Sequence, residues 1–316
     1  MTGAGSPSCD VGPQYANDAP FTARMRLHQS WWRASELSVP YGRGPTPRNL
    51  SRYGSMLDAS SGAAGSNFLT PEIFAVVEQR IALGGRGVER FRLLHNLLSS
   101  QPMCFNLFGP LVDQPERSTR MARALLGDDV ARVRRVAIEW APAPAAEYLA
   151  DATSFDASID YERTDGARVL VAVETKLTDS FSQRRYDGTR YRRWMTSPRS
   201  PFRDPASREV ATSRHNQLWR NHLLAIAARD RAASPYTEVR SALVLHPLDV
   251  DGASVVATYR DQLKPTDETF VVWTLDKVVD VFAAAATTPD ELAWVTAFRT
   301  RYLALERSEH LYGRAR

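Results

Sequence analysis

Apolar positions recur at helical spacing in the first third of the chain, at alternate positions or in short runs through the middle, and at helical spacing again at the end. The best-signalled helix opens with Thr70 as cap, Pro71 at the first helical position and Glu72 in the first turn, and runs to Gly84-Gly85. A second, at about 87 to 99, places Phe91, Leu94, Leu97 and Leu98 on one stripe and stops at Ser99-Ser100-Gln101-Pro102. After a loop and a helix near 115 to 126 come strands at 132 to 140, 154 to 162 and 168 to 177. An Arg-rich connection leads to a helix at about 214 to 229, strands at 239 to 246 and 269 to 274, and helices near 276 to 286 and 289 to 306. Helices first, strands clustered in the middle and a helix interrupting them predict an α/β fold, a mixed central sheet flanked by helices. Residues 1 to 20 read as a tail, 21 to 66 as an extension with a short helix and a long loop, 67 to 306 as the main domain and 307 to 316 as a second tail.

The informative stretch is FDASIDYERTDGARVLVAVETKLTD. Its second strand sets Val169, Val171 and Val173 on one face and Leu170, Ala172, Glu174 and Lys176 on the other. A three-residue turn, Thr164-Asp165-Gly166 with Gly166 left-handed, pairs Arg163 with Ala167 and sets Asp156 opposite Glu174. A two-residue turn would pair Asp156 with Thr175 and send its side chain to the opposite face. The apolar pattern selects the longer turn, since Ala157, Ile159 and Tyr161 then share a face with the three valines. Asp156, Ser158, Asp160, Glu174 and Lys176 form the polar face, with Asp160 two pairs away from the acid pair.

Composition narrows the chemistry. No apolar run approaches the roughly 18 residues of a membrane span, and no charged, signal-like start precedes Arg24, so a cytoplasmic protein without a membrane partner is expected. Cys9 and Cys104 are too few for a cysteine metal site, and His215 and His222 lie seven apart without an acid at ligand spacing, so any metal is held by oxygen. No phosphate-binding glycine loop is present. The 40 basic residues divide into 37 Arg and 3 Lys, and residues 184 to 231 hold twelve Arg against four acids. A local basic block on a slightly acidic body points to a polyanion such as nucleic acid, against the plainer reading of a solvated face. Trp31 and Trp32 beside Arg33 could stack on bases, but more simply anchor the extension.

Two carboxylates held together are unfavourable unless a cation or a proton intervenes, and Asp156 with Glu174 suits Mg2+, or Mn2+ in its place, with the Thr175 carbonyl as a further oxygen. Lys176 beside them, in a chain with so few lysines, fits a group that holds or helps deprotonate a water, through a pKa that burial can lower. These residues resemble the PD-(D/E)XK nuclease signature, with Phe155 where the signature has proline. The words around Asn67 to Leu69, Ser99 to Leu111 and Asn216 to Ala225 are similar to those of a bacterial branch assigned as restriction endonucleases, a resemblance covering roughly residues 25 to 250. It implies a restriction-endonuclease-like fold over the main domain and a Mg2+-dependent endonuclease acting on DNA in defence, with a methyltransferase partner and a homodimer as companions of that role. It also implies that Gln217, on the helix after the acid-X-Lys strand, joins Asp156, Glu174 and Lys176 in catalysis, and that Glu89, on an early helix, reaches the metal centre. Gln101 is a further candidate for substrate or water contact. Arg184, Arg185, Arg190 and Arg220 are the expected phosphate contacts. The competing readings are a non-catalytic nucleic-acid-binding protein that keeps the fold, and a hydrolase of a small phosphodiester.

Overall fold

The computed structural model describes residues 10 to 84 and 87 to 312, so Cys9 and Gly85 lie outside the described residues. In chain order come α1 (Pro20–Trp32), the hairpin β1 (Tyr41–Arg43) and β2 (Arg52–Leu57), α2 (Ala59–Ala63), α3 (Pro71–Ala82), α4 (Arg90–His95), α5 (Ser100–Phe108) and α6 (Pro115–Leu126). The central strands β3 (Val130–Trp140), β4 (Phe155–Arg163) and β5 (Arg168–Lys176) follow, then α7 (Thr189–Met195), α8 (Asn216–Asp230), β6 (Glu238–Leu245), α9 (Val250–Arg260), β7 (Phe270–Thr274), α10 (Leu275–Ala285), α11 (Pro289–Tyr302) and α12 (Glu306–Tyr312). The five strands lie in the order β3-β4-β5-β6-β7, antiparallel from β3 to β5 and parallel from β5 to β7. This is the expected mixed sheet flanked by helices. Among the described residues no helix is long and apolar enough to cross a membrane.

The β4–β5 turn is the longer one. Arg163 N–H donates to the Ala167 carbonyl at 2.8 Å, Gly166 sits at φ +85°, and Ala157 pairs with Val173, which makes Asp156 and Glu174 the next pair along. Ala157, Ile159, Tyr161, Val169, Val171 and Val173 enter one core under α3, α5, α6, α10 and α11. The opposite face is not the open polar face expected. Leu170 and Ala172 enter a second core with α7, α8 and α9, so the sheet is covered on both sides, as its near-continuous valine-rich β5 requires. Asp160 is accordingly buried in a bidentate pair with Arg168 (2.9 and 2.6 Å), away from the acid pair.

Three boundaries differ from expectation. The helix expected at 87 to 99 is the shorter α4, and the stretch read as a loop after it is α5, whose Pro102 falls in the first turn where no N–H is needed. The expected long loop of the extension contains the β1–β2 hairpin. The ends are also less tail-like: the Asp10 carbonyl accepts from Arg33 and the Pro13 carbonyl from Gly54 N–H, while Ser308 on α12 meets His28 at 3.0 Å. A buried polar weld ties the extension to the main body. Arg301 donates to the Asn67 carbonyl (2.7 Å), the Asn67 side chain (2.5 Å) and Gln29 (3.2 Å), and Gln29 returns a bond to the Arg301 carbonyl (2.7 Å). Trp32 is buried, and Trp31 stacks on His28, so both tryptophans anchor.

Candidate active site

The sheet register builds the site. Because β4 pairs with β5 around Ala157 and Val173, and with β3 through Ile138–Ala157 and Trp140–Phe155, Asp156 is flanked in one row by Glu174 on β5 and Glu139 on β3. Cross-strand neighbours stand about 5 Å apart. All three line one cleft of about 570 Å3 together with Lys176 and Gln217. Glu139 was not expected from the sequence. No turn length reports its register: the β3–β4 connection is long, and β3 carries two irregularities in its pairing.

Each acid is held differently. Asp156 Oδ2 accepts from Thr175 N–H (2.8 Å) and Thr175 Oγ1 (2.9 Å). Glu174 is gripped from α8 by two amides one helical turn apart: Gln217 Nε2 reaches Oε1 at 2.6 Å and Asn221 Nδ2 reaches Oε2 at 2.6 Å. Lys176 Nζ pairs with Glu174 Oε1 at 2.8 Å and donates to Gln217 Oε1 at 3.3 Å. Gln217 Oε1 also receives Ser182 N–H at 2.8 Å, which fastens the loop after β5 to α8. Gln101, the candidate in the Ser-Ser-Gln turn, donates to Glu139 Oε1 at 2.5 Å.

Electrostatics follow from this crowding. Burial and the neighbouring Glu174 push the Asp156 carboxyl up to about 7, against Lys176 and the Thr175 bonds. Burial, then Asp156, raises Glu139 well above the usual carboxylate range despite the Gln101 bond. Burial by itself lowers Lys176, but Glu174 and Asp156 outweigh it and its pKa ends above the ordinary value. Of the two roles open to Lys176, holding a water as an ammonium accords with this direction and deprotonating one does not. The site holds three carboxyl groups beside one lysine, and their oxygens have lone pairs to spare, so the chemistry of the donors fits a hard divalent cation that would take the place of the retained protons. Among the described residues no three His, Cys, Asp or Glu side chains lie close enough to ligate one ion together.

The remaining expected residues divide. Thr175 is fully buried and serves as the holder of Asp156. Glu89 lies at the cleft, but its carboxylate caps α4, accepting from Phe91 N–H (3.3 Å) and Arg92 N–H (2.8 Å). Arg184 and Arg220 line the cleft, and Arg220 stacks 4.2 Å over the Tyr186 ring, donates to Thr153 at 3.1 Å and is paired with Asp151 at 3.4 Å. Arg185 is exposed outside the lining, and Arg190 donates to the Ala150 carbonyl at 3.2 Å and sits over Tyr191. Much of the basic block is spent internally: Arg192 pairs with Asp187, Arg199 and Arg229 with Asp230, and Arg231 with Glu147. Asn221, one turn beyond Gln217 on α8, is a direct partner of Glu174. His222 is buried, with Nδ1 at 3.0 Å from Tyr259 Oη and Nε2 at 2.7 Å from Thr269 Oγ1.

The sequence model of the PD-(D/E)XK nuclease superfamily matches residues 16–304. Comparison with the curated proteins and with the solved structures finds no match.

Proposed function

The chain belongs to the PD-(D/E)XK nuclease superfamily, and from that premise we propose that it is a divalent-cation-dependent endonuclease hydrolysing DNA phosphodiester bonds, with Mg2+ or Mn2+ as the ion. The observation that carries this reading is the pairing of Asp156 with Glu174 on neighbouring strands, with Lys176 bonded to Glu174 in the same cleft. Asp156 and Glu174 would hold the ion, which when bound neutralises charge on a phosphate under attack and acidifies water. Gln217 and Asn221 fix both oxygens of Glu174 from a rigid helix, so the carboxylate is oriented before substrate arrives. The Lys176 ammonium, desolvated beside them, is placed to hold the attacking water or a phosphate oxygen.

Arg220, stiffened by Tyr186, and Arg184 supply cleft cations for the backbone on either side of the scissile bond, with Arg185 and Arg190 as outlying contacts. Contacts of this kind neutralise phosphate without reading sequence, so binding weakens steeply with salt. A restriction role in the cytoplasm, with a methyltransferase partner and a homodimer, accords with this chemistry.

The test is plasmid DNA incubated with the full chain. Cleavage in Mg2+, none in EDTA, and none by Asp156→Ala or Lys176→Ala while DNA binding persists would support the reading. Binding without cleavage by the wild-type chain would instead favour a nucleic-acid-binding protein that retains the fold. Cleavage of a small phosphodiester undiminished by duplex DNA would favour the small-molecule hydrolase.

A further inference from the structure

We propose that Glu139 is the third carboxylate of the cation site and that it acts on the ion through the ion's bound water, as a positioning residue. The inference rests on the divalent-cation reading above. Three features of the fold are spent on placing this side chain. The register sets it beside Asp156 on the side opposite Glu174, completing a row of three acids across three strands. Its backbone is at φ +51°, the left-handed region that a residue with a Cβ rarely adopts. That backbone is clamped from α3, where Arg80 Nε and Nη2 hold the Glu139 carbonyl at 3.2 and 2.9 Å.

The carboxylate itself is only 7% exposed and enters the cleft between two groups that fit around it. Gln101 donates to Oε1 at 2.5 Å. Gly87, at φ +100°, leaves the space that Oε2 needs, since a Cβ there would stand 2.5 Å from that oxygen. A buried acid beside two others is unfavourable as an anion and must either keep a proton or face a cation. Nothing in packing alone requires the arrangement, because a neutral side chain of the same shape would satisfy Gln101 equally well.

The three acids do not converge tightly enough to ligate one ion together. Mg2+ explains how the third can still serve, because it dehydrates reluctantly, takes one or two carboxylates directly and keeps several waters. Asp156 and Glu174 would be the direct pair and Glu139 an acceptor for a water of the hydrated ion. Outer partners of this kind are worth about 10- to 100-fold in metal affinity.

The experiment is calorimetric titration of the full chain with Mg2+, without DNA, for the wild type, Glu139→Gln, Glu139→Asp and Asp156→Asn. Cobalt(III) hexammine, an exchange-inert mimic of a hydrated ion, serves as a second probe. The expected result is Mg2+ affinity about 10- to 100-fold weaker in Glu139→Gln, a smaller loss in Glu139→Asp, which keeps the charge, and weaker binding of cobalt hexammine to Glu139→Gln than to the wild type. Equal losses in the Gln and Asp variants would overturn the proposal, because shape and not charge would then matter. Wild-type affinity in Glu139→Gln with a clear loss in Asp156→Asn would overturn it while leaving the nuclease reading intact. Failure of the wild type to bind Mg2+, or an Asp156→Asn variant that binds as well as wild type, would remove both.

Discussion

Two buried polar clusters in this molecule look alike by burial and differ in electrostatic logic. In the weld around Arg301 and Asn67, one guanidinium is surrounded by neutral acceptors, and Asn106 closes the network by donating to the Asn67 carbonyl and meeting Tyr302 Oη, both at 3.0 Å. In the row Glu139–Asp156–Glu174, three carboxyl groups share one cleft with a single lysine, and burial with crowding raises the pKa of two of them. The first cluster is complete as it stands, and its product is a fixed position for α1 against α11. The second crowds its acids with no such set of neutral partners, which is why the proposed cation is assigned there.

Substitution of one member in each should separate the two logics. Asp156→Asn should reduce cleavage by about a thousandfold or more, since the cation's contribution to the chemistry goes with it. Its melting temperature in EDTA should stay level or rise, because a repelling charge has been removed. Arg301→Met should do the reverse. Leaving the Asn67 and Gln29 oxygens without their donor costs on the order of 1–3 kcal/mol for each that stays unsatisfied, read as a fall in the urea midpoint, while any folded fraction keeps its Mg2+ affinity. A destabilised Asp156→Asn, or an Arg301→Met as stable as wild type, would break the contrast.

Acid should also act on the weld, though not there alone, since His222 in the second core is lowered by burial to about 4 as well. Burial lowers His28, beside Ser308 and the Thr300 carbonyl, and His246, beside the Tyr302 carbonyl, each to about 4. Their folded values lie below the ordinary 6.5, so the unfolded chain takes up protons first. The stability they contribute is fully present above pH 6.5 and is lost as pH falls toward 4, roughly 3 kcal/mol per histidine at most. Urea unfolding at pH 7 and pH 4.5 measures the loss, and His28→Gln should remove one histidine's share of the slope.

The smaller effects sharpen the site itself. Asn221→Ala frees one oxygen of Glu174 and should lower Mg2+ affinity or activity by about 10- to 100-fold. Arg220→Ala should weaken DNA binding uniformly across sequences and reduce the salt slope by about one. Arg185→Ala, outside the lining, should change the slope less than Arg220→Ala does.

What was readable in the sequence depended on how local the information was. The β4–β5 register was legible because a three-residue turn and the alternation of Ala157, Ile159 and Tyr161 against the valines of β5 agree on one answer. Gln217 followed from a resemblance, and the structure places it on Glu174 and Lys176. Glu139 was not legible, since its place opposite Asp156 depends on a long connection and an irregular pairing. The role of the extension was hidden for a similar reason: His28 and Gln29 find partners at residues 300 to 308, far along the chain. The Arg block was read correctly as charge but not as structure, because its acid partners, such as Glu147 for Arg231, come from other elements.

The central claim is that the acid row is built around a divalent cation. The most direct measurement is a crystal structure of the full chain grown with Mn2+ and recorded at the manganese absorption edge. The account predicts an anomalous peak between the Asp156 and Glu174 carboxylates, absent from crystals of Asp156→Asn. No peak in the cleft, with the row unchanged at millimolar Mn2+, would contradict it.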